Sequence, residues 1–225
     1  GLPDNSWMET TLCRLKSTFN IDNTQTSWVH FSQNEDLEGL RHFSRLYDAI
    51  SQSIVLGVRY HRFGSESWTR EIHPYQLRQF NNRWFLVGYE EKVSDRLPLV
   101  VLPLDRIENV IEKQDVQFIP FKGDIEQPFR DIVGVSLKFG ESRVHILIRA
   151  YRPTADYIKT KPIHHSQQIV DINENYIDFS LDLIPNYEFE TIMLTYADNC
   201  EILEPSSLRE KLAERAGKIK KMQGN

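Results

Sequence analysis

Between Ile54 and Glu112 this chain carries eight cations, and seven of them are arginine: Arg59, Arg62, Arg70, Arg78, Arg83, Arg96 and Arg106, with Lys92 the exception. Elsewhere arginines and lysines are nearly balanced, nine against ten. A guanidinium is a planar fork that takes phosphate or carboxylate through two parallel hydrogen bonds and stacks on rings, which lysine's ammonium does less well. Rings interleave with these arginines: Tyr60, His61 and Arg62 in one run, His73, Tyr75 and Arg78 in another. Bases stack on rings while arginines meet phosphate, so this composition suits a nucleotide or a single-stranded nucleic acid. The eight carboxylates of the same window support the opposite reading, arginines paired with acids on solvated strand faces.

Catalytic constellations are missing. The chain has no GxSxG, Walker A, HExxH or paired-carboxylate pattern. His164-His165-Ser166 offers two imidazoles beside a hydroxyl, but neighbours on an extended chain point to opposite faces and would not converge on one metal. Cys13 and Cys200 are the only cysteines and form neither a CxxC site nor a disulfide framework. The expectation is a non-enzymatic protein without cofactor or metal.

The elements that must position the arginines follow from periodicity. Leu37, Leu40, Phe43, Leu46, Tyr47 and Ile50 recur at three and four residues, predicting an amphipathic helix over Glu35–Ser53 that Asn34 caps. A weaker helix is read at Trp7–Phe19 and a strand at Ser27–Phe31. Six short strands follow: Ile54–Arg62, Trp68–Ile72, Tyr75–Phe80, Trp84–Glu90, Leu97–Leu102 and Asn109–Lys113. Asn81-Asn82 is the turn of a hairpin, since asparagine tolerates positive φ. His73 precedes Pro74 and is placed in extended backbone at a strand end.

This spacing predicts an α+β protein: an SH3-like or Sm-like β-barrel entered from an amphipathic helix, then a ferredoxin-like α/β sandwich. Segment 1–34 is read as an N-terminal helical linker, 35–115 as the barrel, 116–132 as a connector with Pro120, Gly123 and Pro128, and 133–225 as the sandwich. Within the sandwich, strands are expected at Gly134–Phe139 and Arg143–Ala150, a helix at Thr154–Lys159 and a hairpin of Gln167–Asn173 with Tyr176–Leu183. A helix at Tyr187–Ala197, a strand at Cys200–Leu203 and a terminal helix Ser207–Met222 capped by Ser206 complete it.

At 225 residues and 26.5 kDa the chain is long enough for two cores. Its net charge of −5 argues against binding nucleic acid over the whole surface and confines such binding to a patch. No apolar run approaches the roughly 20 residues that span a bilayer, so a cytoplasmic protein without membrane partner is expected. Entry at Gly-Leu-Pro-Asp suggests a fragment of something longer.

In order and spacing, Tyr60, His73-Pro74-Tyr75-Gln76-Leu77, Arg83-Trp84-Phe85-Leu86-Val87-Gly88 and Leu104-Asp105-Arg106-Ile107 resemble the WYL domain of bacterial transcription regulators. Phe85 stands where the family has tyrosine, and Val100, Val101 and Pro103 stand where it often has a basic residue; either Arg96 substitutes from the preceding turn or the anionic pocket is reduced. The second half is similar to the C-terminal extension that often follows this domain, on Pro162-Ile163-His164-His165-Ser166-Gln167 and Glu204-Pro205-Ser206-Ser207-Leu208-Arg209. The resemblance implies an Sm-like barrel that senses a nucleotide or nucleic acid and informs an N-terminal winged helix-turn-helix, absent here, in a homodimer. Tyr60, Arg62, His73, Tyr75, Arg78, Arg96 and Arg106 are then the ligand contacts. The alternative is an oligomerisation scaffold without small ligand, in which Asp105 or Glu108 covers Arg106 as its ion-pair partner.

Overall fold

The computed structural model describes residues 38–91 and 99–224. The expected helix Trp7–Phe19, the strand Ser27–Phe31, the cap Asn34, Cys13 and Arg96 lie outside those residues. The chain divides between Phe121 and Lys122 into two compact units, each holding one antiparallel sheet.

In the first unit a 3-10 helix, Glu38–His42, leads into α1 (Phe43–Ser51). Phe43, Leu46 and Ala49 fall three apart and are buried, the stripe of a helix lying on a sheet, whereas Tyr47, expected on that face, is 59% exposed. That sheet comprises β1 (Val55–Tyr60), β2 (Trp68–Phe80), β3 (Arg83–Tyr89), β4 (Leu99–Pro103) and β5 (Ile107–Lys113). Its order is β4-β3-β2-β1-β5. Leu46, Leu56, Ile72, Leu86 and Leu104 are wholly buried between helix and strands, each contributing about 1.5–3 kcal/mol. Trp84 joins them edge-on to Phe43, at 4.8 Å between ring centres. Asn81 and Asn82 have φ of 48° and 57° between the paired Phe80 and Arg83, the two-residue turn expected.

Two expectations are corrected here. Trp68–Ile72 and Tyr75–Phe80 are one continuous strand. Pro74 has no N–H for the ladder, yet the pairing with β3 slips between Pro74 and Gln76, so Tyr75 is an extra, bulged residue and the strand continues. Gly88 makes that geometry possible: a Cβ there would stand 2.6 Å from Ile72 Cγ2 and 2.7 Å from the His73 carbonyl oxygen. The hydrogen-bonded sheet, moreover, is not closed. β4 and β5 are its two edges, and a 3-10 turn, Leu104–Arg106, carries the chain from one to the other without pairing them.

The second unit begins with the short helix α2 (Gln127–Arg130), inside the expected connector. Then come β6 (Val144–Tyr151), α3 (Thr154–Thr160), β7 (Gln168–Ile172), β8 (Tyr176–Leu183), α4 (Tyr187–Thr195), β9 (Cys200–Glu204) and α5 (Ser206–Gln223). The sheet order is β7-β8-β6-β9. Ile146, Ile148 and Ala150 of β6 pair with Leu181, Phe179 and Ile177 of β8, all wholly buried. Alternation turns one sheet face inward, and Ile158 and Phe189 of the helices are buried with it.

Gly134–Phe139 is not a strand. Its backbone is held by α4 instead of by a ladder. Asn186 caps α4 by accepting from the Phe189 amide, and its amide nitrogen donates to the carbonyls of Val133 at 2.7 Å and Ser136 at 3.1 Å. Glu188 accepts from the Ser136 amide and hydroxyl at 3.0 and 2.7 Å. Ser206 is the first residue of α5 rather than its cap; Pro205 takes the cap position and supplies no side-chain bond.

Candidate functional site

Three pieces of chain meet at one corner of the first unit: the end of β1, the start of β3 and the 3-10 turn Leu104–Arg106. Tyr60 closes β1 with its ring buried against Trp68, 5.0 Å between centres. The His61 amide donates to the Arg106 carbonyl at 3.0 Å, which ties the segment after β1 to the turn. Arg83, first residue of β3, reaches Asp105 with both arms: Nε donates to Oδ1 at 2.8 Å and Nη2 to Oδ2 at 2.5 Å. Burial alone raises the Asp105 carboxyl, but the hydrogen bonds and charge of Arg83, with the nearby Arg106, outweigh it and hold the group below the usual carboxylate range.

Arg106 lies beside this pair without sharing it. Its guanidinium carbon is 4.2 Å from the centre of the Phe63 ring, and its Nε is buried with no hydrogen-bond partner among the described residues. Glu108 is engaged elsewhere, with Arg59 at 2.8 Å and the Ser67 hydroxyl at 2.7 Å. Phe63 is 68% exposed, and Arg62 beside it is exposed too. The corner therefore offers a cation with an unmet donor, an aromatic face open to solvent and a second guanidinium. That set can stack a planar ring and bind an anion.

His73 and Tyr75 form a second group. His73 is 2% exposed, and its Nδ1 accepts from the Ile119 amide at 3.0 Å, so its proton sits on Nε2. Tyr75 donates its hydroxyl to the Ile119 carbonyl at 2.8 Å. Phe118 packs edge-on against both rings, and Phe121 against Tyr75. Burial lowers the His73 imidazole and pushes the Tyr75 phenol up to about 12. The bulge at Tyr75 thus gives one residue of the following segment, Ile119, the two backbone hydrogen bonds that a neighbouring strand would have given.

The expected contacts are distributed as follows. Tyr60, Arg62 and Arg106 belong to the corner, while His73 and Tyr75 hold Ile119. Arg78 bonds Gln76 at 3.3 Å and stands opposite Phe85 in the β2–β3 pairing. Phe85 is 8% exposed with the Arg83 guanidinium carbon 6.0 Å from its ring centre. Phe63, Arg83 and Asp105 were not among the expected contacts. The signal for Phe63 was a ring directly after the Tyr60-His61-Arg62 run.

Elsewhere, His164 and His165, expected to point to opposite faces, instead converge: their rings lie 4.1 Å apart and both place Nε2 on the Arg130 carbonyl, at 2.8 and 2.7 Å. Among the described residues no cluster of three or more His, Cys, Asp or Glu is arranged to hold a metal ion. The buried Cys200 thiol is pushed up to about 12 by desolvation, so it is no nucleophile at neutral pH. No described helix is long and apolar enough to cross a membrane.

Residues 41–112 match the family model of the WYL domain and residues 142–220 that of the WCX domain. Several solved structures are similar, two of them as follows. Proteasome accessory factor B/C (PafBC) of Arthrobacter aurescens is 16% identical with a TM-score of 0.35, over 80% of this chain and 27% of that one. A CRISPR Cas-related protein is 10% identical with a TM-score of 0.53, over 83% of this chain and 54% of that one. The chain thus spans 27% and 54% of the two proteins' lengths, and the second likeness concerns the fold alone. No curated protein matches.

Proposed function

Because this chain is a WYL-domain protein with a WCX domain following it, we propose that it is the effector-sensing region of a bacterial transcription regulator. Its ligand is a nucleotide or short single-stranded nucleic acid, bound at the Arg106 corner and signalled to a DNA-binding domain on its N-terminal side. No catalytic step is assigned.

The observation that carries this reading is Arg106 itself. A guanidinium with a buried, unpartnered Nε bears the desolvation cost of that donor, about 1–3 kcal/mol, unless something outside the described residues accepts from it. A phosphate oxygen is such an acceptor, and a base stacked on the open face of Phe63 would bring the phosphate there. The scaffold alternative expects a carboxylate such as Asp105 or Glu108 on Arg106, and both of these bond other residues. In this reading Arg106, Arg62 and Phe63 touch ligand and Arg83 with Asp105 positions the turn. Tyr60 floors the corner, Arg78 extends the basic surface, and Arg96 is kept as a proposed contact from outside the described residues. His73 and Tyr75 act through Ile119, tying the segment leading to the WCX domain onto the sensing sheet.

We read the open sheet and its helix as an Sm-like barrel left unclosed between β4 and β5. The second unit's order β7-β8-β6-β9, with α3 and α4 inserted between strands, is read as ferredoxin-like. Fluorescence anisotropy of the 225-residue chain with labelled single-stranded DNA, single-stranded RNA and mononucleotides at low salt tests the function. Saturable binding to one of these supports it, and no binding to any of them rejects it.

A further inference from the structure

One imidazole stands at the Arg106 corner with its tautomer fixed by its neighbours. The Ser67 hydroxyl has a single proton and donates it to Glu108 Oε1 at 2.7 Å. Its oxygen therefore accepts from His61 Nδ1, 3.3 Å away, and that nitrogen carries the proton of the neutral ring. Nε2 is left as a bare lone pair. It has no hydrogen-bond partner among the described residues and reaches solvent. At the other end of this chain of bonds, Arg59 holds the second oxygen of Glu108 at 2.8 Å. The Ser67 hydroxyl above all, with Arg59, keeps the Glu108 carboxyl below the usual carboxylate range, so a negative charge stands behind the imidazole.

The ring sits where an added proton would matter. Phe63 is edge-on to His61 at 6.4 Å between ring centres and lies 4.2 Å from the Arg106 guanidinium carbon, so imidazole and guanidinium flank one aromatic ring. The His61 amide on the Arg106 carbonyl fixes the two residues to each other. The remaining charged groups about His61 are Arg62 and Glu66, exposed on its own loop, and Arg70 on β2, which Glu90 holds at 2.8 Å.

We propose, resting on the reading of this corner as a site for a nucleotide or single-stranded nucleic acid, that His61 is a further ligand contact and makes binding proton-linked. In the neutral ring Nε2 turns a lone pair toward solvent, which repels a phosphate oxygen. A proton taken from water converts it into a charged donor beside Arg106 and Arg62, while Nδ1 keeps its bond to Ser67. The ligand's phosphate and the Glu108 carboxylate then act on opposite nitrogens of the ring, and both favour the cation. Ligand therefore binds together with up to one proton. By reciprocity affinity rises as pH falls into the range where histidine ordinarily titrates, and levels off below it.

Isothermal titration calorimetry of the 225-residue chain counts that proton. The probes are single-stranded DNA and single-stranded RNA without terminal phosphates, and a cyclic mononucleotide. All three carry only diester phosphates, which keep one charge across the range of about pH 6–8 in which histidine changes its own. Titrations in two buffers of different ionisation enthalpy give the protons taken up, and a pH series gives the affinity. With whichever probe binds, the wild type is expected to take up a fraction of one proton. It should also bind about threefold to tenfold tighter at the acid end than at the alkaline end. His61→Gln should take up no proton and lose the rise in affinity, and Ser67→Ala, which cuts the ring off from Glu108, should take up less than wild type. Binding without proton uptake, or the same uptake in His61→Gln as in wild type, overturns the proposal and leaves the Arg106 site standing. No binding of any probe at any pH rejects the site itself, and the role of His61 with it.

Discussion

Arg83 holds Asp105 with both arms of its guanidinium, at 2.8 and 2.5 Å, although Asp105 is the sequence neighbour of Arg106. The pairing decides what the corner can do, because it occupies the carboxylate best placed to neutralise Arg106. The bidentate fork also anchors the 3-10 turn between β4 and β5, two strands that no ladder joins.

Removing Arg83 should therefore have two effects. Arg83→Ala leaves Asp105 half-buried without its donors and lowers unfolding free energy by about 1–3 kcal/mol in urea titrations. It also releases Asp105 toward Arg106 and weakens ligand binding, whereas Asp105→Asn leaves Arg106 unpaired and keeps binding. If Asp105→Asn abolishes binding while Arg83→Ala spares it, the assignment of roles is reversed.

Stability should depend on pH through His73. Its Nδ1 accepts from the Ile119 amide only in the neutral form, and burial, opposed by Glu91 and Glu71, lowers the folded-state value below the ordinary 6.5. A group lowered in this way favours the folded state fully above 6.5 and loses that contribution as pH falls from there through its folded value. His164, also lowered by burial, acts in the same direction. Urea midpoints should thus decline on acidification below 6.5, and less steeply in His73→Gln; equal slopes in both proteins would remove His73 from the account.

Tyr75→Phe deletes one hydroxyl bond to the Ile119 carbonyl and keeps the ring between Phe118 and Phe121. A loss of about 0.5–1.5 kcal/mol is expected. Amide exchange near Ile119 should quicken more than exchange in α1. Uniform quickening across the first unit would instead mean a general loss of stability rather than a loosened segment.

Gly88→Ala should destabilise by about 1–3 kcal/mol or more, since the added methyl meets Ile72 Cγ2 and backbone at His73. Gly64→Ala is a useful contrast. It lies in open space but at φ 75°, so its cost is conformational alone. Chemical denaturation of both variants separates crowding from backbone strain.

What the sequence made legible were features governed by near neighbours. The apolar stripe of α1, the Asn81-Asn82 turn and the strand and helix order of the second unit all rest on local periodicity and turn chemistry. Where distant groups satisfied the backbone, local rules misled. Pro74 reads as a strand end, yet a bulge absorbs it and the paired strand runs on. The segment 134–139 reads as a strand, yet Asn186 and Glu188, some fifty residues later, hold its peptides. At the corner, Tyr60, Arg62 and Arg106 were picked out by type. The pairing of Arg83 with Asp105 was invisible because adjacency made Arg106 the obvious partner, and His73 and Tyr75 gave no sign that their partner was Ile119.

The most direct test is an anisotropy titration of a labelled single-stranded oligonucleotide with wild type and Arg106→Ala, alongside urea unfolding of each. The account predicts saturable binding by wild type, weakened about tenfold to a hundredfold in the variant, with stability unchanged or slightly raised because a buried, unpartnered N–H has been removed. Equal binding by the two proteins, or a variant that loses several kcal/mol of stability, would contradict it and return Arg106 to a purely structural role.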